Sequence, residues 1–490
     1  MLKFEGGSFS GNQTLTFTNT TIVADKEVFD ITGVAGTIAN KEVHLSWWKL
    51  AYNSNTNDAI LINQIIAAID NCVFYYDIQD NIYVGGVCEI APNPSIFNPD
   101  YPIQVIGKNH IEIIQTTPYF TILKGASKGG ETFRIAQNDY VRVTGVNLDA
   151  NNIHCGIDGE NGFGIVGKTD GSESFVDVCD CVVKNCQKGF DAIAVHGDIY
   201  MGGNYPEYGS GGKGFQIEGG ANKCYVHNCV VYNSYIGLSH VMHKTNNNIT
   251  SYDHITVQGC EIAIVCLSLG AYDTVSYTNI NILDCTGENG LICMGKALNV
   301  IMSGITVKGS TKAGSLLRGS YNTCMIDIVC RQNCTRLIDI ALFRDNPEGD
   351  TKGFSIVKIV TTGGCDYVIG DSILQYPIKP ANVTKGKLQG GQYYIETFNG
   401  ALTEGANLPD MQWSTPLFKI TLGVAAKYYE GSLESLLSTD NAVPMDITKI
   451  GSTRPTNPPL GFMFLETTVS GNKPIWWDGS NWVDATGTPV

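Results

Sequence analysis

The sequence has few charged residues and lacks the segments that direct a chain out of a cell or into a membrane. Of its 490 residues, only 16% are Asp, Glu, Lys or Arg, and the net charge is −15. This negative balance argues against nucleic acid and anionic membrane as partners. The N-terminus has no basic region followed by an apolar run, so no secretory signal is expected. No apolar run approaches about 18 residues, so no membrane-spanning helix is expected either.

The sequence also lacks the paired CxxC motifs of a zinc site, although it contains 16 cysteines. Their positions repeat instead: Cys181, Cys229 and Cys260 share one position of a repeat. Cys186 and Cys285 share another. Cysteine is a small residue well suited to buried positions. We therefore expect reduced, stacked core thiols formed in a reducing compartment, with no metal and no cofactor.

What the sequence does contain is a repeat of short strands. Residues 175–186, FVDVCDCVVKNC, alternate apolar and polar side chains, break at Asp180, resume, and stop at Asn185. The pattern returns five times with gaps of 20 to 48 residues between the positions that follow the break. Those positions are Cys181, Cys229, Cys260, Ile280, Ile305 and Ile328. The short gaps predict a solenoid coil of roughly twenty-odd residues, and the long ones predict coils with inserted loops.

The residues at the turns fit a solenoid of strands. Asn185, Asn233 and Asp284 each follow the aligned position by four residues, and Asn and Asp tolerate the left-handed backbone of a tight turn. A leucine-rich repeat is the rival fold, but it requires regular length and a Leu-rich consensus. The sequence therefore predicts an all-β parallel β-helix.

One amphipathic helix and two further regions flank the predicted solenoid. A helical stripe runs through Ala59, Ile62, Ile65, Ile66 and Ile69, and a helix there would cap the open end of the core. The chain is expected to divide into 1–45 N-terminal strands, 46–71 capping-helix segment, 72–385 parallel β-helix, 386–450 β-rich region and 451–490 Trp-rich C-terminal module.

Several motifs in this order resemble a known family. They are the Trp47-Trp48 segment, the DAILINQIIAAI helix beginning at Asp58, and short strands ending in glycine turns at residues 83–86, 105–107 and 122–125. Together they resemble the β-helix of the pectate-lyase superfamily, most closely the version carried by phage tailspikes. Ser46-Trp47-Trp48-Lys49 stands where that family usually has Trp-Phe-Gly-Ala. The resemblance implies a right-handed solenoid, a homotrimer, and two acid or base groups on its outer face.

The last segment has the most specific motif in the chain. GFMFLETT at residues 461–468 and KPIWWDGSNWVDATG at residues 473–487 resemble a short Trp-rich module of many phage and prophage tail proteins. That resemblance implies a virion protein with phage tail or baseplate partners, made in the cytoplasm of a bacterial host. Release by lysis would reconcile reduced cysteines with a surface rich in hydroxyl and amide groups, which suits sugars.

The longest gap, between Cys181 and Cys229, is rich in glycine and tyrosine and predicts an extended aromatic loop. Aromatic rings with polar tips suit sugar rings. The expected substrate-binding residues are Tyr200, Tyr205, Tyr208, His196 and His243.

Carboxylates around the same gap are the candidates for catalysis. A glycoside hydrolase uses two carboxyl groups about 5 to 9.5 Å apart. Asp191 and Glu218 follow Phe190 and Ile217, so they point outward if those apolar residues point inward. A solvated surface acid is the plainer explanation for any one of them. The candidates are Asp191, Asp198, Glu218, Glu207 and His240, with the pair expected among Asp191, Asp198 and Glu218.

The sequence thus predicts a phage tailspike or tail fibre that binds a bacterial surface polysaccharide and hydrolyses it. One alternative is a non-catalytic receptor-binding or structural fibre with the same fold. Another is a polysaccharide lyase, whose base would be His196, His240 or His243. The Asp-Asp and Gly-His-Gly motifs of polygalacturonases are absent from the sequence, as is the arginine signature of pectate lyases.

Overall fold

A computed structural model gives the fold as a stack of parallel coils. It describes residues 1–52, 57–84, 103–118, 120–124, 131–150, 161–168, 170–186, 188–193, 197–202, 205–207, 212–218, 223–242, 249–268, 274–288, 290–340, 350–351, 355–371, 387–388, 392–397, 401–403, 410–411, 417–422, 427–432, 445–446, 449–451, 454, 463–466, 473–477, 480–484 and 488–489.

Two long sheets dominate the described residues. The 24-stranded sheet contains Glu42–His44, Cys72–Tyr76, Ile82–Val84, Ile111–Gln115, Ile122–Lys124, Tyr140–Thr144, Asn147–Asp149, Ser174–Cys179, Val182–Lys184, Gly197–Gly202, Tyr205–Glu207, Lys223–His227, Val230–Tyr232, Ile249–Asp253, Thr256–Gln258, Thr274–Thr278, Asn281–Leu283, Val300–Lys308, Met325–Cys330, Ile356–Thr361, Gln392–Thr397, Leu417–Leu422, Lys427–Ser432 and Met445–Asp446.

The 12-stranded sheet contains Ile103–Ile106, Phe133–Ala136, Asn161–Val166, Lys188–Ile193, Lys213–Glu218, Ile236–Met242, Ile262–Ser268, Ile292–Leu298, Ala313–Asn322, Cys334–Ile340, Cys365–Asp371 and Ala401–Thr403. Its strands pair in parallel along its whole length.

Smaller sheets pair Leu2–Lys3 with Ile22–Val23, pair Phe9–Thr20 with Phe29–Ile38, join Asp350–Thr351, Lys387–Leu388 and Asp410–Met411, and join Lys449–Gly451, Met463–Glu466, Lys473–Trp477 and Trp482–Val483.

Each regular coil contributes two short strands to the 24-stranded sheet and one strand to the 12-stranded sheet. Val231, Val257 and Ile282 are successive Cα partners, 26 and 25 residues apart. Ile282 pairs with Val307, a further 25 residues on. This spacing and the parallel pairing confirm the predicted parallel β-helix.

The register corrects two expectations. The 48-residue interval from Cys181 to Cys229 does not hold a long inserted loop. It holds a whole additional coil, because Tyr205–Glu207 pairs with Val182–Lys184 on one side and Glu207 pairs with Tyr232 on the other. Cys260 also does not align with Cys229. Val231 pairs with Val257, so the residue equivalent to Cys229 is Ile255, two positions before Val257. Because cysteine and isoleucine both suit an interior row, the repeated cysteines suggested a false alignment.

The turn residues adopt the backbone that their side chains predicted. Asn185, Asn233 and Asp284 have φ angles of 53°, 48° and 49°. Gly259 occupies the equivalent turn of another coil with φ 66°. Left-handed backbone is cheapest for Gly and tolerable for Asn and Asp, so each coil ends where such a residue occurs.

Rows of identical side chains fill the core. Phe133, Phe163, Phe190 and Phe215 are fully buried Cα partners on the 12-stranded sheet, with ring centroids 4.9 to 5.3 Å apart. Fourteen described cysteines are reduced, and thirteen of these are buried. Burial raises the pKa of the Cys224 and Cys266 thiols to about 12, which keeps them protonated. The expectation of reduced core thiols is confirmed for these positions.

One helix, α1 (Ala59–Ala68), covers the first strand of the 12-stranded sheet. Ile62, Ile65 and Ile66 are buried, and Asn63 Oδ1 accepts a hydrogen bond of 2.7 Å from the Gln104 backbone N–H. These contacts confirm the capping helix. Among the described residues, no helix is long and apolar enough to span a membrane.

The parallel ladder continues beyond residue 385, the predicted end of the solenoid. Gln392–Thr397 pairs in parallel with Ile356–Thr361 and with Leu417–Leu422. Further on, Lys473–Trp477 forms antiparallel pairs with Met463–Glu466 and Trp482–Val483, as a hairpin unit requires.

Candidate functional site

The outer face of the 24-stranded sheet carries aromatic and charged side chains in adjacent rows. Side chains alternate along each strand, so burial of Val141 and Val143 leaves Tyr140, Arg142 and Thr144 on the other face. In the next coil, burial of Val176 and Val178 leaves Phe175, Asp177 and Cys179 outside by the same alternation.

Three aromatic rings form a column on this face. Tyr140 and Phe175 are Cα partners, and their ring centroids lie 5.0 Å apart with planes 3° from parallel. The His110 ring stacks on Tyr140 at 4.3 Å and 5°. We refer to His110, Tyr140 and Phe175 as the aromatic stack. It spans three coils, roughly 10 Å. Since each ring covers the next, the stack presents ring edges and the Tyr140 hydroxyl group to solvent.

A row of charged residues lies directly beside the aromatic stack. Glu112, Arg142 and Asp177 are successive Cα partners, and we refer to them as the charged row. Arg142 Nε lies 3.3 Å from Asp177 Oδ2. The two rows differ by two residues along each strand, so one face combines an apolar ridge with carboxylates.

The Asp177 carboxyl group is electrostatically distinct. Desolvation raises its pKa, while nearby Arg142 and His227 oppose that rise without cancelling it. A carboxyl group with a raised pKa is a better proton donor than one with an ordinary pKa. Desolvation and nearby Glu112 also raise the pKa of the Tyr140 hydroxyl, which therefore stays protonated.

Two predicted site positions continue these rows at the level of the backbone. Asp198 is the Cα partner of Phe175 and Lys223, so it extends the line of the aromatic stack. Tyr200 is the Cα partner of Asp177 and Tyr225, so it extends the charged row. Both lie in the strand Gly197–Gly202 rather than in a loop.

The next coils continue the polar face. The Tyr225 ring stacks on His227 with centroids 4.7 Å apart, and the Tyr225 hydroxyl donates a hydrogen bond of 3.4 Å to Asp253 Oδ2. Desolvation alone would raise the pKa of Asp253, but the hydrogen bonds and charge of His254, together with Asn279, outweigh it and lower that pKa. Asp253 is therefore a poorer proton donor than Asp177.

His240, predicted as a catalytic residue or lyase base, does not lie on the outer face. His240 is fully buried in the strand Ile236–Met242, with its ring edge-on to buried Tyr252 at 6.3 Å. Neither of its ring nitrogens has a hydrogen-bond partner in the described part of the chain. Burial lowers the pKa of His240 to about 3, so the ring is neutral. A sealed imidazole inside the core cannot reach a glycan.

The remaining predicted residues divide between two sheets. Asp191 and Glu218 lie on the 12-stranded sheet, where the Cα partner of Asp191 is Gln216, two residues before Glu218. Asp198, Tyr205 and Glu207 lie on the 24-stranded sheet. The backbone positions of these acids therefore lie on two different sheets. His196, Tyr208 and His243 lie outside the described residues.

The aromatic stack and the charged row had a sequence signal that was not used. Residues 110–113, 140–143 and 175–178 read HIEI, YVRV and FVDV. In each, an aromatic residue and a charged residue alternate with buried aliphatic residues. The three segments become one surface only when their coils stack in register.

Comparison with known proteins gives structural likenesses of low similarity. No protein-family model matches this chain, and no curated protein matches it. Bacteriophage CBA120 tailspike protein 3 is similar at 11% identity and a TM-score of 0.31, over 91% of this chain and 69% of that chain. The Agl-KA catalytic domain is similar at 12% identity and a TM-score of 0.39, over 80% of this chain and 70% of that domain's chain.

The A-module of the mannuronan C-5 epimerase AlgE6 from Azotobacter vinelandii is similar at 10% identity and a TM-score of 0.37. That match covers 77% of this chain and 99% of the module. These TM-scores are low, so the function of this chain has to be derived from its own residues.

Proposed function

We propose that this chain is a phage tailspike that binds a bacterial surface polysaccharide along the outer face of the 24-stranded sheet and hydrolyses it. The observation that carries the proposal is the aromatic stack lying beside the charged row. Support for the phage context comes from the Trp-rich C-terminal motif.

The two rows match the two surfaces of a sugar. A sugar ring has apolar C–H patches and a rim of hydroxyl groups. The exposed edges of the Tyr140 and Phe175 rings offer apolar packing contact to the C–H patches. The Tyr140 hydroxyl and the carboxyl groups of Glu112 and Asp177 offer hydrogen bonds to the sugar hydroxyls. Because the rows run across successive coils, a linear glycan would lie along the solenoid axis.

For hydrolysis we assign Asp177 as the general acid and Asp198 as the general base. Asp177 would protonate the glycosidic oxygen, and Asp198 would take a proton from the attacking water. Tyr200 is the Cα partner of Asp177 in the next coil, and Asp198 lies two residues before Tyr200. Asp198 is therefore offset from Asp177 by one coil and two residues. That offset puts the two Cα atoms roughly 8 Å apart, in keeping with the carboxylate separation of inverting enzymes, about 6.5 to 9.5 Å.

An offset of one coil and two residues also separates Asp191 from Glu218 on the 12-stranded sheet, so these two residues are a matched control pair.

To test the assignment, purified protein is incubated with surface polysaccharide of candidate host bacteria, and the size of the products is followed. We expect Asp177→Asn and Asp198→Asn each to slow chain shortening about 10²-fold or more. Asp191→Asn and Glu218→Gln leave the rate unchanged. Loss of activity only in the second pair would move the site to the other sheet.

A non-catalytic receptor-binding fibre is the second candidate, and one contact favours it. Arg142 lies 3.3 Å from Asp177 and opposes the rise in its pKa, which works against a general acid and is compatible with a binding surface. Binding of the polysaccharide without any shortening would establish this alternative. A lyase would leave an ultraviolet-absorbing double bond in its products, and its base could not be the buried His240.

The predicted homotrimer has a candidate contact surface. Ile301, Met325 and Ile356 are successive Cα partners on the outer face of the 24-stranded sheet, and their side chains are exposed. We refer to them as the apolar row. Exposed apolar residues in a continuous line are typical of protein–protein contacts, so we assign this row to contact with a second copy of the chain.

A further inference from the structure

A polar cleft adjoins the aromatic stack at the turns that lead into its strands. It has a volume of about 320 Å³ and is lined by Gly107, Lys108, Asn109, Gln137, Asp139, Lys168, Asp170 and Ser172. Asn109 and Asp139 immediately precede His110 and Tyr140 in the chain. The cleft therefore opens at the edge of the proposed glycan path.

The cationic groups of the cleft are already engaged within the protein. Lys168 Nζ contacts Asp139 Oδ1. Lys108 Nζ donates hydrogen bonds to the backbone oxygens of Ala67 and Ile69, at 3.1 and 2.7 Å, and burial lowers its pKa. Neither ammonium group is placed as an unopposed charge toward a ligand.

The acidic groups of the cleft face outward as acceptors. Asp139 has 57% of its side chain exposed. Asp170 is exposed, and Ser172 donates two hydrogen bonds to its Oδ1 atom, from its hydroxyl at 2.7 Å and from its backbone N–H at 2.9 Å. These hydrogen bonds lower the pKa of Asp170, which keeps the carboxylate charged. The cleft thus favours a ligand that donates hydrogen bonds.

We propose that this cleft is a subsite for one neutral sugar unit and that the polysaccharide is neutral at this end of the face. The inference rests on the proposed function. A volume near the lower end of the range for small-molecule sites, about 300 to 1,000 Å³, suits one sugar rather than a chain. Hydroxyl groups donate to Asp170 and to the exposed side of Asp139, whereas a sugar carboxylate is repelled by Asp170 and finds both ammonium groups already engaged. The whole chain carries a net charge of −15, which also disfavours an acidic polysaccharide.

The test uses the full chain and ligand-observed NMR with four probes: D-glucose, D-galactose, N-acetyl-D-glucosamine and D-glucuronate. We expect saturation transfer to at least one neutral sugar, with glucuronate bound at least tenfold more weakly. In the double variant Asp139→Asn, Asp170→Asn, neutral-sugar binding falls at least tenfold. Glucuronate binding rises, because Lys168 has lost its carboxylate partner. A merely structural disturbance would not reverse the preference in this way.

Asp366→Asn is the matched control, since exposed Asp366 pairs with Lys312 Nζ at 2.6 and 2.7 Å on another coil. We expect Asp366→Asn to leave the affinities for neutral sugar and for glucuronate unchanged. Equal binding of glucuronate by the parent chain, or neutral-sugar binding that survives in the double variant, would overturn the subsite.

Polysaccharide binding by the same proteins separates the two claims. If the parent chain and the double variant bind the surface polysaccharide equally, the subsite is wrong and the proposed function stands. If the parent chain binds neither polysaccharide nor sugar, the proposed function fails, and the subsite fails with it.

Discussion

One outward row of the 24-stranded sheet is charged in its early coils and apolar in its late coils. In the early coils it holds Glu112, Arg142 and Asp177, and in the late coils it holds Ile301, Met325 and Ile356, with exposures of 41%, 56% and 42%. The register between them is continuous. The intervening positions are Tyr200, Tyr225, Ser251 and Ser276.

The neighbouring inward row shows no such change. It runs through buried residues in the same coils: Ile113, Val143, Val178, Met201, Val226, Tyr252, Tyr277, Met302, Ile326 and Val357. The core therefore sets the coil, and an outward position can hold an acid or an isoleucine without altering it. Because the fold requires neither, the outer row can vary in chemistry from coil to coil without altering the core.

The largest expected difference in the free energy of unfolding is between substitution of a phenylalanine that faces the core and substitution of one that faces solvent. Phe190→Ala removes a fully buried ring from the phenylalanine row and is expected to cost about 3 to 5 kcal/mol in the free energy of unfolding. Phe175→Ala removes one ring of the aromatic stack and is expected to cost about 1 kcal/mol while abolishing glycan binding. Denaturant midpoints and a glycan-binding assay measure both. Equal destabilisation by the two variants would contradict the division between core and surface.

The next largest effect is the pH dependence of stability that His240 causes. Its folded pKa of about 3 lies below the ordinary value of 6.5, so between these values the unfolded chain binds the proton and the folded chain does not. Stability associated with His240 is thus complete above about pH 6.5 and falls as the pH drops toward 3. Relative to His240→Leu, the parent chain should lose about 2 kcal/mol between pH 7 and pH 5. Unfolding midpoints of the two proteins at both pH values measure it. A difference that does not change with pH would show that His240 is solvated.

The smallest of the three effects concerns the apolar row. Met325→Ser and Ile356→Ser remove exposed apolar surface that we assign to a subunit contact, so each should weaken self-association at least tenfold, or about 1.4 kcal/mol. Ile249→Ser is the control, because Ile249 is 52% exposed in a different outer row. Sedimentation velocity measures the association state. A parent chain that sediments as a monomer, or a trimer indifferent to both substitutions, would remove this assignment.

Much of the fold was predictable because its determinants are local. The left-handed turns follow from Asn185 and Asn233, the capping helix from the spacing of Ile62 and Ile66, and the strands from simple alternation. The register of strand pairing depends on contacts between coils and could not be predicted from neighbouring residues. Cys260 resembled Cys229 chemically, and only strand pairing shows that Ile255 occupies that position.

The candidate site was only partly predictable for the same reason. Asp198 and Tyr200 were predicted as site residues, but the surrounding glycines suggested a loop where the structure has a strand. Tyr140 and Phe175 lie 35 residues apart in sequence and form a stack only because their coils pair. His240 could not be placed from alternation, since the core also accepts a neutral imidazole.

The most direct test of the account is a structure of the chain with an oligosaccharide product of its polysaccharide. The account predicts that the glycan lies along the outer face of the 24-stranded sheet, against Tyr140 and Phe175, with a glycosidic oxygen within hydrogen-bond distance of the Asp177 carboxyl group. A glycan bound instead on the 12-stranded sheet, beside Asp191 and Glu218, would contradict it.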